Sequence, residues 1–399
     1  MPSAAPLLAA LVAFQAAAGA RVVVRLLPGR HRAPPVAPLV DADDPRWAHV
    51  AGARVSVVVP TLNEAARIAP CLAGLAAQDG TMVEAIVVDG RSTDGTPALV
   101  EAAAARDPRL RVLVAPPQPP GWLGKVWQLD YARPAATGDW ILGIDADAEP
   151  APGLVAATVA AAEACGLDVV SFAPRFAGQS RAERWLQPAM LATLVYRLGA
   201  PCDRPRTDAD VLANGQCFLV RRRMLDANGG YAPSRAYFAD DVALARHLAR
   251  AGARVGFLDG ARLYTVRGYA GALDMWRGWG RSFALAPEST RGRHALDLAT
   301  VTLAQGLPVL VLAALAVAVL LGALAWSPAW TALALVNVAL LAVRIGVLVA
   351  TGASYARRGL AYWASPTADP AAVVRLWLST LRRARSWRGR EFTLVDAPT

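Results

Sequence analysis

The chain has 399 residues, of which 55% are hydrophobic, and it carries a net charge of +10 with four cysteines and four histidines. The cysteines form no CxxC pair and the histidines are scattered, which argues against a zinc site and favours reduced thiols. No run of aromatic and basic residues reads as a nucleic-acid platform, and strongly apolar segments are present. We therefore expect the positive charge to face an anionic membrane surface and phosphate groups, not nucleic acid.

A single lysine stands among the 41 basic residues of the chain. Every other basic residue is arginine, and the exception is Lys125. An ammonium group is a compact point charge, whereas a guanidinium is a planar fork of donors. The composition suggests that Lys125 serves where a compact charge is needed; the alternative is chance.

An apolar run from Ala4 to Ala20 opens the chain and is broken only by Gln15. Its length is close to the roughly 17 residues that a membrane-spanning helix requires. Arginines follow the run, so the positive-inside rule predicts a retained anchor over 1–27 with the next domain in the cytosol. A signal peptide is the alternative, although its positive n-region is missing. The prolines and aspartates of 28–52 indicate a linker.

Strand and helix patterns alternate after the linker, which predicts an α/β fold with a mostly parallel sheet of right-handed βαβ units. Runs of β-branched and apolar residues predict strands at 55–59, 83–88, 110–114, 140–144, 168–172, 254–258 and 263–266. Helices are predicted at 70–77, from a cap at Thr93 or Asp94 to 105, from 124, and at 152–165, 181–199 and 240–252. The helix at 181–199 is either a core helix or a helix on the membrane surface.

Two acids follow the predicted strand at 140–144. Side chains alternate along an extended chain, so Asp145 and Asp147 should point the same way at the carboxyl edge of the sheet, where open α/β sheets bind ligands. Aligned carboxylates suit Mg²⁺ or Mn²⁺, which can in turn hold a diphosphate. The alternative is an acidic turn that leads into Pro150.

Adjacent acids also begin the predicted helix that ends at Gly252. Capping and the helix dipole explain one aspartate of the Asp240–Asp241 pair. The second has no such explanation unless it faces a site.

Two long apolar runs, Leu296–Trp326 and Trp330–Thr351, predict transmembrane helices over 296–351. Arginines flank both outer ends, so these ends and the first domain should lie on the same cytosolic side. The basic tail over 352–399 predicts an interfacial helix from about Ala371 better than a further span. The chain is thus expected in the inner or plasma membrane as a multi-pass protein with its α/β domain in the cytoplasm.

Several motifs occur in the order found in membrane-bound family 2 glycosyltransferases with a GT-A catalytic domain, which the chain resembles over about 54–290. Residues 55–64 resemble the opening strand, whose end borders the nucleotide. Asp89 stands where the family has an acid that contacts the base, and Asp145-Ala-Asp147 matches the metal and donor motif. Asp240–Asp241 matches the Glu-Asp pair that supplies the catalytic base.

The chain also departs from the family pattern. The usual Asp-Asp-x-Ser reads Asp89-Gly-Arg-Ser92, and Arg277 and Trp279 replace an intact Gln-x-x-Arg-Trp motif of processive members. The second departure argues against polymer synthesis. The loop 120–127, together with Asn214-Gly-Gln, is more narrowly similar to hopanoid-associated and carotenoid glycosyltransferases.

The resemblance implies inverting, metal-dependent sugar transfer from a UDP- or GDP-linked donor to the hydroxyl of a membrane lipid or terpenoid. Asp241 is expected to act as the base and Asp240 as a cap or orienter, with Asp145 and Asp147 as ligands of Mg²⁺ or Mn²⁺. Donor contacts are expected from Pro60, Thr61, Asn63, Glu64, Asp89, Lys125 and Asp145. The alternatives are a polyprenyl-phosphate sugar synthase, a polysaccharide synthase, and a membrane scaffold with a degenerate nucleotide fold.

Overall fold

The computed structural model describes residues 5–199, 211–267, 269, 271–283, 291–381, 386–387 and 390–391. The chain divides into two compact units, which we call the helical unit and the sheet unit. The helical unit comprises Met1–His31, Gly178–Ala200 and Tyr269–Ala384, and the sheet unit comprises Arg32–Ala177, Pro201–Gly268 and Arg385–Thr399.

The elements of both units are numbered in chain order. The strands are β1 (Val55–Thr61), β2 (Met82–Asp89), β3 (Leu110–Val114), β4 (Trp140–Ile144), β5 (Ala148–Pro150), β6 (Val169–Ala173), β7 (Arg175–Phe176), β8 (Cys217–Arg221), β9 (Val255–Asp259), β10 (Tyr264–Val266), β11 (Ser386–Trp387) and β12 (Arg390–Glu391). The helices are α1 (Ala5–Leu26), α2 (Ile68–Ala76), α3 (Thr96–Ala104), α4 (Gly124–Ala132), α5 (Leu154–Ala164), α6 (Arg181–Leu198), α7 (Arg222–Ala227), α8 (Asp240–Arg250), α9 (Ala272–Ser282), α10 (Arg291–Val301), α11 (Leu307–Leu320), α12 (Pro328–Ala350), α13 (Leu360–Trp363) and α14 (Asp369–Leu381).

The sheet unit contains a seven-stranded sheet in the order β3-β2-β1-β4-β8-β6-β9. Its neighbours pair in parallel, except that β8 runs antiparallel to both β4 and β6. A smaller sheet has the order β5-β10-β7. The predicted α/β fold with a mostly parallel sheet is therefore confirmed.

Both faces of the large sheet are covered by helices. Val57 and Val59 of β1 pack into one apolar core with residues of α2, α3 and α5. Val58, which points the other way, packs into a second core with residues of α4 and α8. This burial on both sides explains why β1 reads as a continuous apolar run and not as an alternating one.

Some predicted helix boundaries were wrong by a few residues. Helix α2 begins at Ile68, so Pro70 lies inside its first turn and does not begin the helix. The cap residue of α3 is Gly95, which makes no side-chain capping bond, so the expectation that Thr93 or Asp94 caps this helix was wrong. Oδ1 of Asp94 nevertheless accepts a hydrogen bond from the Thr96 backbone at 2.9 Å.

Three helices of the helical unit are long and apolar enough to cross a membrane, among the residues that the structure describes. They span Pro6–Gly29, Gly292–Leu320 and Pro328–Ala350. The second was expected to reach Trp326, but α11 ends at Leu320 and the chain turns through Gly322, whose φ is +63°. A π-helical segment, Thr302–Gly306, joins α10 to α11.

Helix α6 begins with a capping box, in which the Ser180 side chain and Glu183 each accept a hydrogen bond from the other's backbone. Ala189 and Met190 are fully buried in the core of the helical unit, which agrees with the core-helix interpretation of this segment. The expected helix in the tail is present as α14, and most of the arginine-rich end of the chain lies outside the described residues.

Candidate active site

The two acids that follow β4 lie in a turn. The backbone N–H of Ala148 donates to the carbonyl of Asp145 at 3.0 Å, so the chain reverses between β4 and β5. The chain is therefore not extended between Asp145 and Asp147, so the reason given for expecting their side chains to share a direction was wrong. Both carboxylates are nevertheless half-buried, and their charges act together on the thiol of Cys71, whose pKa is raised mainly by burial.

The pairing of β4 with β8 determines what lies beside Asp145. Ile144 is opposite Cys217 in this antiparallel pair, so the residues before β8 lie next to those after β4. The Asp145 backbone N–H donates to the carbonyl of Gln216 at 3.3 Å. The turn that contains Gly215 therefore lies at the carboxyl edge of β4.

The single lysine of the chain lies in this site. Lys125 is the second residue of α4, and its Nζ is 2.6 Å from Oδ1 of Asp145. The same ammonium donates to the carbonyl of Gly215 at 3.3 Å. Its pKa is raised, since the charges of Asp145, Asp240 and Asp241 outweigh the effect of burial. Lys125 therefore remains charged among several carboxylates.

Asp241 is bound to the same glycine, Gly215. The backbone N–H of Gly215 donates to Oδ2 of Asp241 at 2.6 Å, and the N–H of Val242 donates to Oδ1 at 2.8 Å. Asp240 and Asp241 are the first two residues of α8, and the cap residue is Ala239, which makes no side-chain capping bond. The expectation that Asp240 caps the helix was therefore wrong.

The acidic pair at the start of α8 holds its protons more tightly than ordinary carboxyl groups do. Burial raises the pKa of Asp240 to about 7; Lys125 lowers it, and the neighbouring charge of Asp241 raises it. Burial likewise raises the pKa of Asp241, against the effect of Lys125. A carboxylate with a raised pKa near a cleft is suited to accept a proton at neutral pH.

The residues of β1 and β2 that were expected to contact the sugar-nucleotide donor lie at the same carboxyl edge of the sheet as Asp145. Thr61 is opposite Asp89 in the parallel pair, and Pro60 is opposite Val88. Gln128, which lies one turn after Lys125 on α4, donates from Nε2 to the carbonyl of Thr61 at 3.0 Å. Helix α4 thereby connects the end of β1 with the Asp145 site.

Asn63 and Glu64 form the loop that follows β1. Asn63 has a φ of +54°, and its Oδ1 accepts a hydrogen bond from the backbone of Thr93 at 2.9 Å. The backbone N–H of Glu64 donates to Oγ1 of Thr96 at 2.8 Å. The loops after β1 and β2 are thus bound to each other.

Asp89 organises the loop after β2. The carboxylate is only 5% exposed, and Oδ2 accepts hydrogen bonds from the backbones of Arg91 and Ser92, each at 3.0 Å. Oδ1 accepts from the Ser92 hydroxyl at 2.6 Å. The nucleotide contact expected of Asp89 stays a prediction.

The donor set at the end of β4 fits a hard divalent cation. Mg²⁺ and Mn²⁺ accept carboxylate oxygens, and Mg²⁺ in particular is commonly held by one or two carboxylates completed by water and substrate phosphates. Asp145 and Asp147 supply two such groups. Within the described ranges no cluster of three or more His, Cys, Asp or Glu side chains is placed to bind a metal.

Sequence reasoning did not assign two parts of this arrangement. Gln128 lies one turn after Lys125 on α4. The only feature that distinguishes it is its burial, since a polar side chain is here only 4% exposed. Gly215 acts through its backbone, and a Cβ added there would lie 2.9 Å from Nζ of Lys125 and 3.3 Å from Cβ of Asp241. The similarity of Asn214-Gly-Gln to related loops was the only available signal.

Comparison with known proteins relates the chain to glycosyltransferases. The sequence model of glycosyl transferase family 2 matches residues 56–229. An uncharacterized glycosyltransferase of Rickettsia felis is 41% identical over 96 residues, which cover 24% of this chain and 29% of that protein. An N-acetylglucosaminyltransferase of Bradyrhizobium sp. is 33% identical over 108 residues, which cover 26% of this chain and 68% of that protein.

A solved structure shares the fold over most of its length. The mannosyltransferase PcManGT from Pyrobaculum calidifontis, in complex with GDP-Man and Mn²⁺, superposes with a TM-score of 0.55 and 24% identity, covering 93% of this chain and 99% of that one. The chain spans 29% of the Rickettsia felis relative. The sheet is thus of the GT-A type, and the chain belongs to glycosyl transferase family 2.

Proposed function

We propose that this protein transfers a sugar from a UDP- or GDP-linked donor to the hydroxyl of a membrane lipid or terpenoid acceptor, with inversion at the anomeric carbon. The observation that carries the proposal is the connected set Asp145–Lys125–Gly215–Asp241. It joins the donor edge of the sheet to a candidate base through contacts of 2.6, 3.3 and 2.6 Å.

Asp145 and Asp147 would hold Mg²⁺ or Mn²⁺, which when bound supplies positive charge to the leaving diphosphate. Lys125 adds a permanent positive charge beside the same carboxylates. Pro60, Thr61, Asn63, Glu64 and Asp89 border the nucleotide in this proposal. Such fixed charges stabilise the transition state because they are oriented before the reaction begins.

Asp241 takes the proton of the acceptor hydroxyl as that oxygen attacks the anomeric carbon. Its two oxygens accept hydrogen bonds from Gly215 and Val242, which fix the carboxylate without protonating it. Asp240 is the neighbouring residue, and the negative charges of the two carboxylates repel each other. This repulsion helps to keep the pair basic enough to accept a proton.

A membrane acceptor is supported by the three apolar helices of the helical unit. A glycosyltransferase that carried such helices could reach acceptors that do not leave the bilayer. The proposed location is the cell membrane, with the sheet unit in the cytoplasm where activated sugars occur. The arginines that flank the apolar runs support this orientation through the positive-inside rule.

The test uses membranes from cells that express the full chain, incubated with radiolabelled UDP- and GDP-sugars and then extracted with organic solvent. We expect the label to enter a lipid product with one donor, and only when Mg²⁺ or Mn²⁺ is present. Membranes that contain the Asp241→Asn variant are the matched control.

The nature of the product decides between the alternatives. An alkali-stable glycoside of a lipid hydroxyl supports the proposal. An acid-labile lipid-phosphate sugar would instead identify a polyprenyl-phosphate sugar synthase, and a long polymer would identify a polysaccharide synthase. Binding of labelled donor without any transfer would indicate a scaffold.

A further inference from the structure

Two arginines of the helical unit pair with one carboxylate, and a third, Arg197, lies close enough for its charge to interact with both that carboxylate and Arg25. Nη2 of Arg21 lies 3.1 Å from Oδ1 of Asp297, and Nη2 of Arg25 lies 2.7 Å from the same oxygen. Arg25 also donates to the carbonyl of Tyr196 at 3.1 Å, which brings helix α1 against the residue before Arg197. The cluster is thus built from α1, α6 and α10.

Arg197 is the unusual member of the cluster. It is only 3% exposed, and no acceptor in the described part of the chain lies within hydrogen-bond distance of its buried Nη1. Burial lowers the pKa of Arg197 to about 10 while Asp297 opposes that shift, so the guanidinium stays charged at neutral pH. A buried cation without a bonded partner is costly, and proteins normally satisfy such a group.

The charges of the cluster do not balance. Arg21, Arg25 and Arg197 carry three positive charges against the single negative charge of Asp297. The side chain of Arg21 is 32% exposed and that of Arg25 is 17% exposed, so the cluster is open on the side of α1. An anion that entered there would meet guanidinium groups, which match phosphate oxygens in geometry and charge.

The position of the cluster favours a lipid as the source of that anion. Arg21 and Arg25 lie in the last two turns of α1, and Asp297 lies near the start of the apolar helix Gly292–Leu320. In the membrane placement proposed above, the ends of two spanning helices meet at the level of the headgroups. A phosphate of an anionic phospholipid would then be at the same depth as the three arginines.

We propose that Arg21, Arg25 and Arg197 form a binding site for the phosphate of an anionic phospholipid. The site lies in the helical unit and takes no part in sugar transfer. It rests on the membrane placement but not on the proposed donor or acceptor. An enzyme with this site would be stabilised by anionic lipid even if its catalytic assignment failed.

The test uses the full chain, purified in a neutral detergent and stripped of lipid. Thermal unfolding is followed while dioleoyl phosphatidylglycerol, dioleoyl phosphatidylcholine or inorganic phosphate is added at equal concentration. We expect the unfolding midpoint to rise with phosphatidylglycerol alone, and native mass spectrometry to show the lipid retained. Arg197→Met should weaken the apparent affinity about tenfold or more, since a charge-assisted contact is lost.

Two further variants make the assignment specific. Asp297→Asn removes the carboxylate that competes with the ligand, so phosphatidylglycerol should raise its midpoint more than that of the parent. Arg357→Met changes an exposed arginine of the same unit and should behave like the parent. If Arg197→Met does not fold, Arg21→Met, on the open side of the cluster, is expected to show the same loss.

The proposal is overturned if the arginine variants keep the parental response to phosphatidylglycerol. An equal rise with phosphatidylcholine would overturn it as well, because a site with excess positive charge must distinguish the two headgroups. A full rise with inorganic phosphate would contradict the lipid as the source of the anion.

Discussion

Nζ of Lys125 lies 2.6 Å from Oδ1 of Asp145, and this ion pair joins the first turn of α4 to the end of β4. Lys125 is the only lysine in a chain of 399 residues. Because it lies against a proposed metal ligand, it is placed to compensate negative charge whether or not a donor is bound.

Replacing Lys125 with Met should slow sugar transfer by about 100-fold, the loss typical of removing one preorganised electrostatic contact. Lys125→Arg should not restore the rate, since a planar fork does not replace a compact charge. The rate is measured at saturating donor. Arg223→Met, at an exposed arginine of the same unit, is the control and should keep the parental rate.

Replacing Asp241 with Asn should abolish transfer and leave donor binding intact, because the amide cannot take a proton but retains an oxygen that can accept from Gly215. Isothermal titration with the nucleotide sugar measures the binding, and product formation measures the transfer. Asp43→Asn changes an exposed carboxylate and serves as the control. Transfer by Asp241→Asn at near the parental rate would refute the assignment of the base.

Replacing Gly215 with Ala should lower the transfer rate by about 10- to 100-fold, since small displacements of catalytic groups are costly. The added methyl group would lie 2.9 Å from Nζ of Lys125 and must displace it. Gly80→Ala is the matched control, since a Cβ at Gly80 meets no atom within 4 Å. Equal rates for the two variants would show that the Lys125–Gly215 contact is unimportant.

The transfer rate should rise with pH through the range in which the buried Asp240–Asp241 pair loses a proton. Burial raises the pKa of Asp240 to about 7, and the adjacent base must be deprotonated to act. The pH–rate profile at saturating donor measures this. In Asp240→Asn the midpoint should move to lower pH, because the negative neighbour of Asp241 is lost.

The raised pKa of Asp240 should make the folded protein less stable as the pH rises, whereas the transfer rate should increase. The folded protein retains the Asp240 proton up to about pH 7, whereas an unfolded chain loses it near pH 4. The unfolded state therefore binds fewer protons in this window, and the free energy of unfolding falls as the pH rises through it. Unfolding midpoints of the parent and Asp240→Asn at pH 5, 6, 7 and 8 should diverge, with the variant gaining relative stability at high pH.

Breaking the buried ion pair of the helical unit should be costly. Nε of Arg344 lies 2.9 Å from Oδ2 of Asp369, and the side chains are only 2% and 1% exposed. Asp369→Ala should destabilise the protein by about 3–5 kcal/mol, because it leaves a buried guanidinium without its carboxylate. The double variant Arg344→Met with Asp369→Leu should recover most of this loss. Equal unfolding midpoints for the single and double variants would contradict the prediction.

Local patterns in the sequence were sufficient for most of the sheet. The β-branched run of β1 and the apolar run of β4 predicted buried strands, and Asp145 follows β4 directly because the apolar run ends there. The length and composition of three apolar runs also predicted the first helix of the chain and the two apolar helices near its end. These features depend only on residues that are close in sequence.

The parts that sequence could not provide depend on pairing between distant segments. Gly215 lies beside Asp145 only because β8 runs antiparallel to β4 in a particular register, and no local signal specifies that register. The contact of Asp241 with the Gly215 backbone likewise joins positions 26 residues apart. The helix-cap explanation of Asp240 failed because α8 begins at Asp240 itself, one residue later than a cap would stand.

The amides of Gln15 and Asn337 bond to each other at 2.8 and 2.9 Å across 322 residues of sequence. During synthesis, the first apolar helix therefore emerges long before its polar partner exists. In the proposed membrane placement, an unpaired carboxamide in hydrocarbon is unfavourable, so we expect this helix to stay near the insertion machinery until α12 is made. Ribosomes stalled before residue 337 should thus leave α1 easier to extract from membranes than ribosomes stalled after α12 has emerged.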